Sequence, residues 1–283
     1  MSVCLEIVVP VRNPGSKLIE TGASLVAQTG RDFSVLLSDN FSTSGSGIIA
    51  QFCDQLRNAG ITARAVKPPF ELGRVQHWNW AHAQAKAEWL KPLFVGDRLK
   101  TAYVQRVRER LGTRPAAQFM RCDCEFHTAA GIAITPAPFT AESLTPTEFL
   151  AYFPALGNWL GGPINFAYRR AAWQAAGGFA TQFPASADYK LSALLALRHG
   201  IEVFHEPLTE FHLHEQRFSS GIRGRRVNGC MEVWLILRQM RNYCLSVGLP
   251  WPEGGVRRGV FRQLGIDYWS PFKQRLKEQL SRS

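Results

Sequence analysis

Three isolated aspartates and one histidine pair hold most of the reactive chemistry in this sequence. Phe94-Val-Gly-Asp-Arg-Leu-Lys100 is an apolar run that ends abruptly on one carboxylate, Asp97. That residue is either a turn that closes a strand or half of a metal site with Gly96 where a second acid would stand. Asp39-Asn40 ends a second apolar run, Phe33-Ser-Val-Leu-Leu-Ser38, and on its own suggests a strand-ending Asx turn. Asp188 opens a helical run in Ser186-Ala-Asp-Tyr-Lys-Leu191, where a carboxylate serves as an N-cap. The same group is ionised at neutral pH and could accept a proton from a hydroxyl held within about 2.6–3.2 Å of it. His212 and His214 form an HxH pair on one face of an extended segment, which suits structural hydrogen bonding or metal ligation. Cys122-Asp-Cys124 has no second CxC or CxxC to complete a zinc site, and on a strand its thiols point to one face as packing groups.

The elements that must position these residues alternate through the first hundred positions. A strand over Leu5 to Pro10 leads through Asn13-Pro14-Gly15 to a helix reaching Ala27. A strand over 33–38 leads through the Ser/Gly-rich FSTSGSG to a helix ending near Ala59. A third strand follows from Ile61 to Val66, a third helix from Arg74 to Glu88 and a fourth strand from Trp89 to Val95. Such alternation predicts a parallel sheet covered on both faces. In open sheets of this kind ligands sit beyond the carboxyl ends of the strands, which would gather Pro10 to Asn13, Asp39 to Ser42, Lys67 to Pro69 and Gly96-Asp97 along one edge. The second half reads as mixed α+β. It has strands over 116–127, 165–169 and 201–204, helices over 145–153 and 188–198, and an apolar helical segment over 228–247.

Composition is that of a globular protein, with 46% hydrophobic and 19% charged residues among 283. No apolar run reaches the roughly 18 residues that span a bilayer, and the start lacks a basic signal-peptide region, so the expectation is a cytoplasmic protein with reduced cysteines. The net charge of +11 is concentrated late: from Arg217 onward 13 Lys/Arg face 4 Asp/Glu, which accounts for +9 of it. Basic residues interleaved with Phe261, Tyr268, Trp269 and Phe272 suit either a solvated helical face or peripheral contact with the inner face of the cytoplasmic membrane. No recognition motif accompanies this charge, which argues against a nucleic-acid partner.

The order of motifs resembles the inverting glycosyltransferases of family 2, which have the GT-A fold. The resemblance rests on VVPVRNPG, LLSDNFSTSGS, LGRVQHWNWAHAQAKAEWLKPLFVGDRL, GGPINFAYRRAAWQAAGGF, ASADYKL and EPLTEFHLHEQRFS, from about Leu5 to Ser219. It implies an α/β, Rossmann-like, mainly parallel sheet flanked by helices over 1–219, with a nucleotide-binding half (1–100), an acceptor half (101–219) and a basic helical extension over 220–283. It implies that Pro10, Val11, Arg12, Asn13, Asp39, Asn40 and Ser42 hold the nucleotide, that Arg74 contacts phosphate and that Asn79 faces the nucleotide. Asp97 and His214 are then ligands of a divalent cation (Mn2+ or Mg2+), and Asp188 is the catalytic base. Trp159 and Gly161, in Asn158-Trp-Leu-Gly-Gly162, lie on the acceptor side, where the alternative is a core tryptophan beside a glycine turn. The implied reaction moves a sugar from a nucleoside diphosphate sugar, with UDP as the first choice, to a glycan or lipid-linked acceptor of polysaccharide or cell-envelope synthesis. The alternatives are a catalytically degenerate sugar-nucleotide-binding regulator, because Gly96 and Ala187 stand where the family often has acids, and nucleotidyl transfer, whose GxGTRL-type loop is missing.

Overall fold

The computed structural model describes residues 5–153, 156, 158–213 and 226–252. The first half alternates as expected: β1 (Leu5–Val11), α1 (Lys17–Val26), β2 (Phe33–Asp39), α2 (Ser46–Asn58), β3 (Thr62–Val66), α3 (Arg74–Ala83) and β4 (Trp89–Pro92). These strands pair in parallel in the order β3-β2-β1-β4. All seven residues of β1 are buried, as a central parallel strand covered on both faces requires. Its alternate side chains enter two different cores: Val8 joins Leu36 and Leu90 on one face, while Ile7 and Val9 join Val35 and Leu37 on the other.

Glu6 is the exception in that strand, and it explains a difference from expectation. Its buried carboxylate binds the Arg64 guanidinium at 2.9 Å and accepts the backbone amides of Lys86 (2.6 Å) and Ala87 (3.3 Å). Those amides are thereby drawn out of the helical ladder, and α3 stops at Ala83 rather than continuing to Glu88.

The second half comprises β5 (Arg98–Leu99), α4 (Tyr103–Thr113), β6 (Phe119–Thr128), β7 (Gly131–Ile134), β8 (Ser143–Leu144), α5 (Pro146–Tyr152), β9 (Phe166–Arg169), α6 (Arg170–Ala175), α7 (Ala187–His199), β10 (Ile201–His212) and α8 (Arg226–Ser246). They extend the sheet as β4-β9-β6-β10-β5. β9 is antiparallel to both β4 and β6, whereas β10 is parallel to β6, so β10, β6 and β4 end on the same edge as β1 and β2. β4 and β5, close in sequence, are separated by β9, β6 and β10, and the link carrying Asp97 therefore crosses that edge. β5, α4, β7, β8 and α6 were not anticipated. The two-residue strands are too short to carry a period, and α4 begins amid the polar Arg98 to Gln105 stretch.

The apolar helical segment expected over 228–247 is α8, and it packs on the domain. Val233, Ile236, Leu237, Met240 and Cys244 form an i, i+3, i+4 stripe buried in the same core as Tyr189, Leu194 and Leu197 of α7. The aromatic and basic stretch 256–280, with its expected membrane contact, lies outside the described residues. Among the described residues no helix is long and apolar enough to cross a membrane. Cys53, Cys122, Cys124 and Cys244 are free and buried; the pair Cys122 and Cys124 packs on one face beside Thr209, as strand alternation requires.

Candidate functional site

At the carboxyl edge, β1 and β2 finish in two loops that hold each other. Pro10 and Val11 are the last buried residues of β1, and Asn13 follows with φ of +46°. An asparagine tolerates that left-handed conformation because its short amide bonds locally: Oδ1 accepts the amides of Thr43 (2.7 Å) and Ser44 (3.2 Å), and the Asn13 amide donates to Ser42 Oγ at 2.8 Å. Asp39, half-buried, accepts the Ser42 amide at 3.0 Å. The Asp39 side chain thus closes the loop after β2 on itself, one residue further on than the Asx turn expected from Asp39-Asn40. Arg12 pairs with Glu71 at 2.6 Å, both side chains about half exposed at 52% and 50%.

Asn40 is held by the chain itself. Its Nδ2 donates to the Leu72 carbonyl (2.7 Å) and its Oδ1 accepts the Leu72 amide (2.9 Å), so the whole amide is spent on the chain entering α3. Asn79 is engaged in the same way. It donates to the Phe179 carbonyl and accepts the Phe179 amide, each at 2.8 Å, tying α3 to the turn after α6.

α3 links the Asp39 end of the sheet edge to Asp188. Near its start, His77 Nε2 lies 2.8 Å from Ser38 Oγ; burial lowers its pKa to about 4, against the pull of the Asp39 carboxylate and Ser38. One turn earlier Arg74 donates to the Pro184 carbonyl and stacks over Trp78 at 4.5 Å. Pro184 leads into α7, where the N-cap is Ser186 and not Asp188. Asp188 sits in the first turn, half-buried. Burial raises its pKa, the Glu232 carboxylate adds to the rise, and its own and Tyr189's amides and Arg74 oppose it. Glu232, the single acid of α8, was not anticipated; one carboxylate within an apolar helical segment was the available signal.

Asp97 is buried at the end of a tight turn in which its amide donates to the Phe94 carbonyl at 2.9 Å. Gly96 has φ of +87°, as the third position of a type II turn requires, and its amide donates to Thr21 Oγ1 at 3.0 Å. An acid at position 96 would therefore be strained. The Asp97 charge reaches the buried Lys91 ammonium, which donates to the carbonyls of Ile164 and Phe166 and whose pKa burial lowers to about 8. As an oxygen donor, a lone carboxylate suits Mg2+ or Mn2+ when diphosphate oxygens and water complete the shell. The turn thus serves both readings of Asp97.

His214 lies outside the described residues. Its neighbour His212 joins His127 and Glu210 in a group whose ligand atoms fall within 4.8 Å of one another. The two imidazoles stack at 4.3 Å, and each bonds the carboxylate two residues earlier, Glu210 or Glu125, at 3.1 Å. Lys100 Nζ already sits between those carboxylates at 2.8 Å and 2.9 Å, so a metal ion here would compete with an ammonium group.

Trp159 is half-buried and its ring packs against Phe139 (5.0 Å), Phe149 (5.7 Å) and Arg121 (5.9 Å). Gly161 has φ of +86°, and a Cβ there would stand 2.7 Å from Asn165 Oδ1. The glycine is thus required by the backbone whatever binds nearby.

No protein-family model matches the chain, and no curated protein matches it by sequence. Its structure nevertheless defines a class: a mainly parallel, Rossmann-like sheet flanked by helices, the GT-A glycosyltransferase fold. Among solved structures it is similar to S. aureus TarS 1-349 in complex with UDP-GlcNAc, with a TM-score of 0.71 and 16% identity over 93% of this chain and 73% of that one. The same TarS fragment with UDP gives 0.66 at 16% identity, covering 93% and 71%. The mannosyltransferase PcManGT from Pyrobaculum calidifontis, in complex with GDP-Man and Mn2+, gives 0.59 at 12% identity over 93% and 69%. At such identities the likeness defines the fold.

Proposed function

We propose that the chain is an inverting glycosyltransferase of the family 2 type, which moves a sugar from a nucleoside diphosphate sugar, UDP-linked by preference, to a glycan or lipid-linked acceptor. The observation that carries the reading is the continuous path along the sheet edge. Asp39 ends β2, α3 runs from beside it, and Arg74 on that helix binds the loop that presents Asp188. Solved proteins of this fold contain UDP-GlcNAc, UDP, or GDP-Man with Mn2+, which supports a nucleotide sugar as the ligand.

In this reading the Asp39 carboxylate accepts an N–H of the base, an acceptor-only group meeting a donor edge. Arg12, Asn13 and Ser42 bound the nucleoside, and Arg74 offers N–H groups to the phosphates. Asp188 takes the proton of the acceptor hydroxyl; the hydroxyl oxygen forms a bond to the anomeric carbon while the bond to the diphosphate oxygen breaks on the opposite face. Burial makes Asp188 a stronger base than a free aspartate. Asp97, with His214, would hold a divalent cation, which offsets the charge of the leaving diphosphate. Trp159 and Gly161 border the acceptor.

The test is release of nucleoside diphosphate from a panel of UDP- and GDP-sugars, with and without Mn2+ or Mg2+, in the presence of glycan and lipid-linked acceptors. Metal-dependent release is expected. Donor binding with no turnover under any combination would replace the enzyme with a sugar-nucleotide-binding regulator.

A further inference from the structure

α8 contributes more than an apolar stripe. Glu232, one residue ahead of the buried Val233, is itself only 9% exposed, and nothing in a solvated or interfacial helix would call for a carboxylate there. Its two oxygens face the Ala185 amide, Oε2 at 3.0 Å and Oε1 at 3.4 Å. The Ser186 hydroxyl and amide also stabilise its charged form. Ser186 is the N-cap of α7 yet makes no side-chain cap bond to its own helix, because its hydroxyl is turned to Glu232. The loop ahead of Asp188 is thus held from two directions. Arg74 of α3 grips the Pro184 carbonyl, and Glu232 of α8 grips the next two residues.

We propose that Glu232 is a positioning residue for Asp188: by fixing residues 185 and 186 it sets where the Asp188 carboxylate stands in the first turn of α7. The inference rests on the reading of Asp188 as the base. The geometry has an electrostatic companion. The charged groups that act on Asp188 are Arg74, which favours its ionised form, and Glu232, which disfavours it. Arg74 in turn favours the ionised form of Glu232. Arg74, Asp188 and Glu232, drawn from three helices, are therefore electrostatically coupled. Within the cluster, Glu232 keeps Asp188 a better proton acceptor than Arg74 alone would leave it.

Two variants separate geometry from charge. Glu232→Ala removes both. Glu232→Gln keeps an oxygen that can accept the Ala185 amide but removes the negative charge. In Glu232→Ala the expected result is a fall in kcat of at least about tenfold with the donor KM within about twofold, since the donor-binding edge is untouched. In Glu232→Gln most of kcat should return, while the acidic limb of the pH profile moves to lower pH. An unchanged kcat in both variants overturns the proposal, as does a parallel loss of kcat and donor binding that follows the fall in Tm, which would mark a purely structural anchor.

A readout independent of turnover keeps this distinct from the enzyme reading. The Asp188 side-chain carboxyl is followed by carbon-13 NMR titration in the wild type and in Glu232→Gln, together with hydrogen exchange of the Ala185 amide in Glu232→Ala. A lower Asp188 pKa in the first and faster exchange in the second support the positioning role even if no donor is ever turned over. An unmoved Asp188 titration removes the electrostatic part alone, and unchanged exchange of the Ala185 amide in Glu232→Ala overturns the positioning role even in an active enzyme. Wild-type inactivity on every donor, by contrast, counts against the base.

Discussion

Asn40 and Leu72 exchange two hydrogen bonds, Nδ2 to carbonyl at 2.7 Å and amide to Oδ1 at 2.9 Å, so that a single side chain does for the loop before α3 what a neighbouring strand would do. The clamp sets the entry of α3, and through it the position of Arg74 two residues on.

Removal of that clamp should therefore act at a distance. Asn40→Ala leaves the Leu72 amide and carbonyl to find other partners, a cost of about 1–3 kcal/mol. The expected outcome in urea denaturation is a loss of that size, with weaker donor binding by calorimetry. Wild-type donor affinity in a destabilised Asn40→Ala would show that the loop does not transmit to the site.

Gly96 makes a sharper backbone case. At φ of +87° any Cβ is strained, by roughly 1–2 kcal/mol for a left-handed residue. Gly96→Ala should lower Tm by several degrees. An unchanged Tm would mean that the turn relaxes at no cost, and that the glycine is a matter of sequence history instead of geometry.

Asp97→Asn keeps the shape of the turn and removes the charge. Metal-stimulated UDP binding should be lost, while UDP binding in EDTA stays at the wild-type level. Calorimetric titration of UDP with and without Mn2+ decides it; full wild-type activity in EDTA would end the metal role of Asp97.

Asp188→Asn should reduce transfer by about two to four orders of magnitude, the usual contribution of a general base, with donor affinity within a few-fold. Asparagine keeps an oxygen that can accept the first-turn amides of residues 188 and 189, so the change should cost little stability. Equal losses of donor binding and turnover would assign Asp188 to the architecture of the helix.

Acid should destabilise the fold through two histidines. Burial lowers the pKa of His77 and of His82 to about 4, from about 6.5 in the unfolded chain. Between these values the unfolded state binds more protons, so this stability is complete above pH 6.5 and is lost as pH falls towards 4, by on the order of 3 kcal/mol for each residue. His82 lies among Tyr168, Trp173 and Phe179, so His82→Phe should fold and show a shallower acid slope. A slope equal to the wild type would place the acid sensitivity elsewhere.

What could be read from sequence alone was set by local periodicity. Apolar runs at 5–10 and 33–38 and the breaks at Asn13-Pro14-Gly15 and Phe41 to Gly47 mark β1, β2 and their loops, because burial on both faces and turn chemistry act over a few neighbouring residues. That was enough to place Asp39 at the end of β2, whereas β4 stops at Pro92, short of the expected Val95, and Asp97 lies in the turn beyond it. The tertiary structure decided which side chains along the sheet edge are spent. Asn40 and Asn79 look like ligand-facing amides in sequence, yet each is consumed by a backbone partner, 32 and 100 residues away. It also decided that α3 ends early, because Glu6 takes amides 80 and 81 residues downstream, and that Glu232 of α8 meets the loop before Asp188 across 47 positions. A hydrogen bond depends on where two groups stand in space, and separations of that length leave no period or spacing in the chain from which to read them.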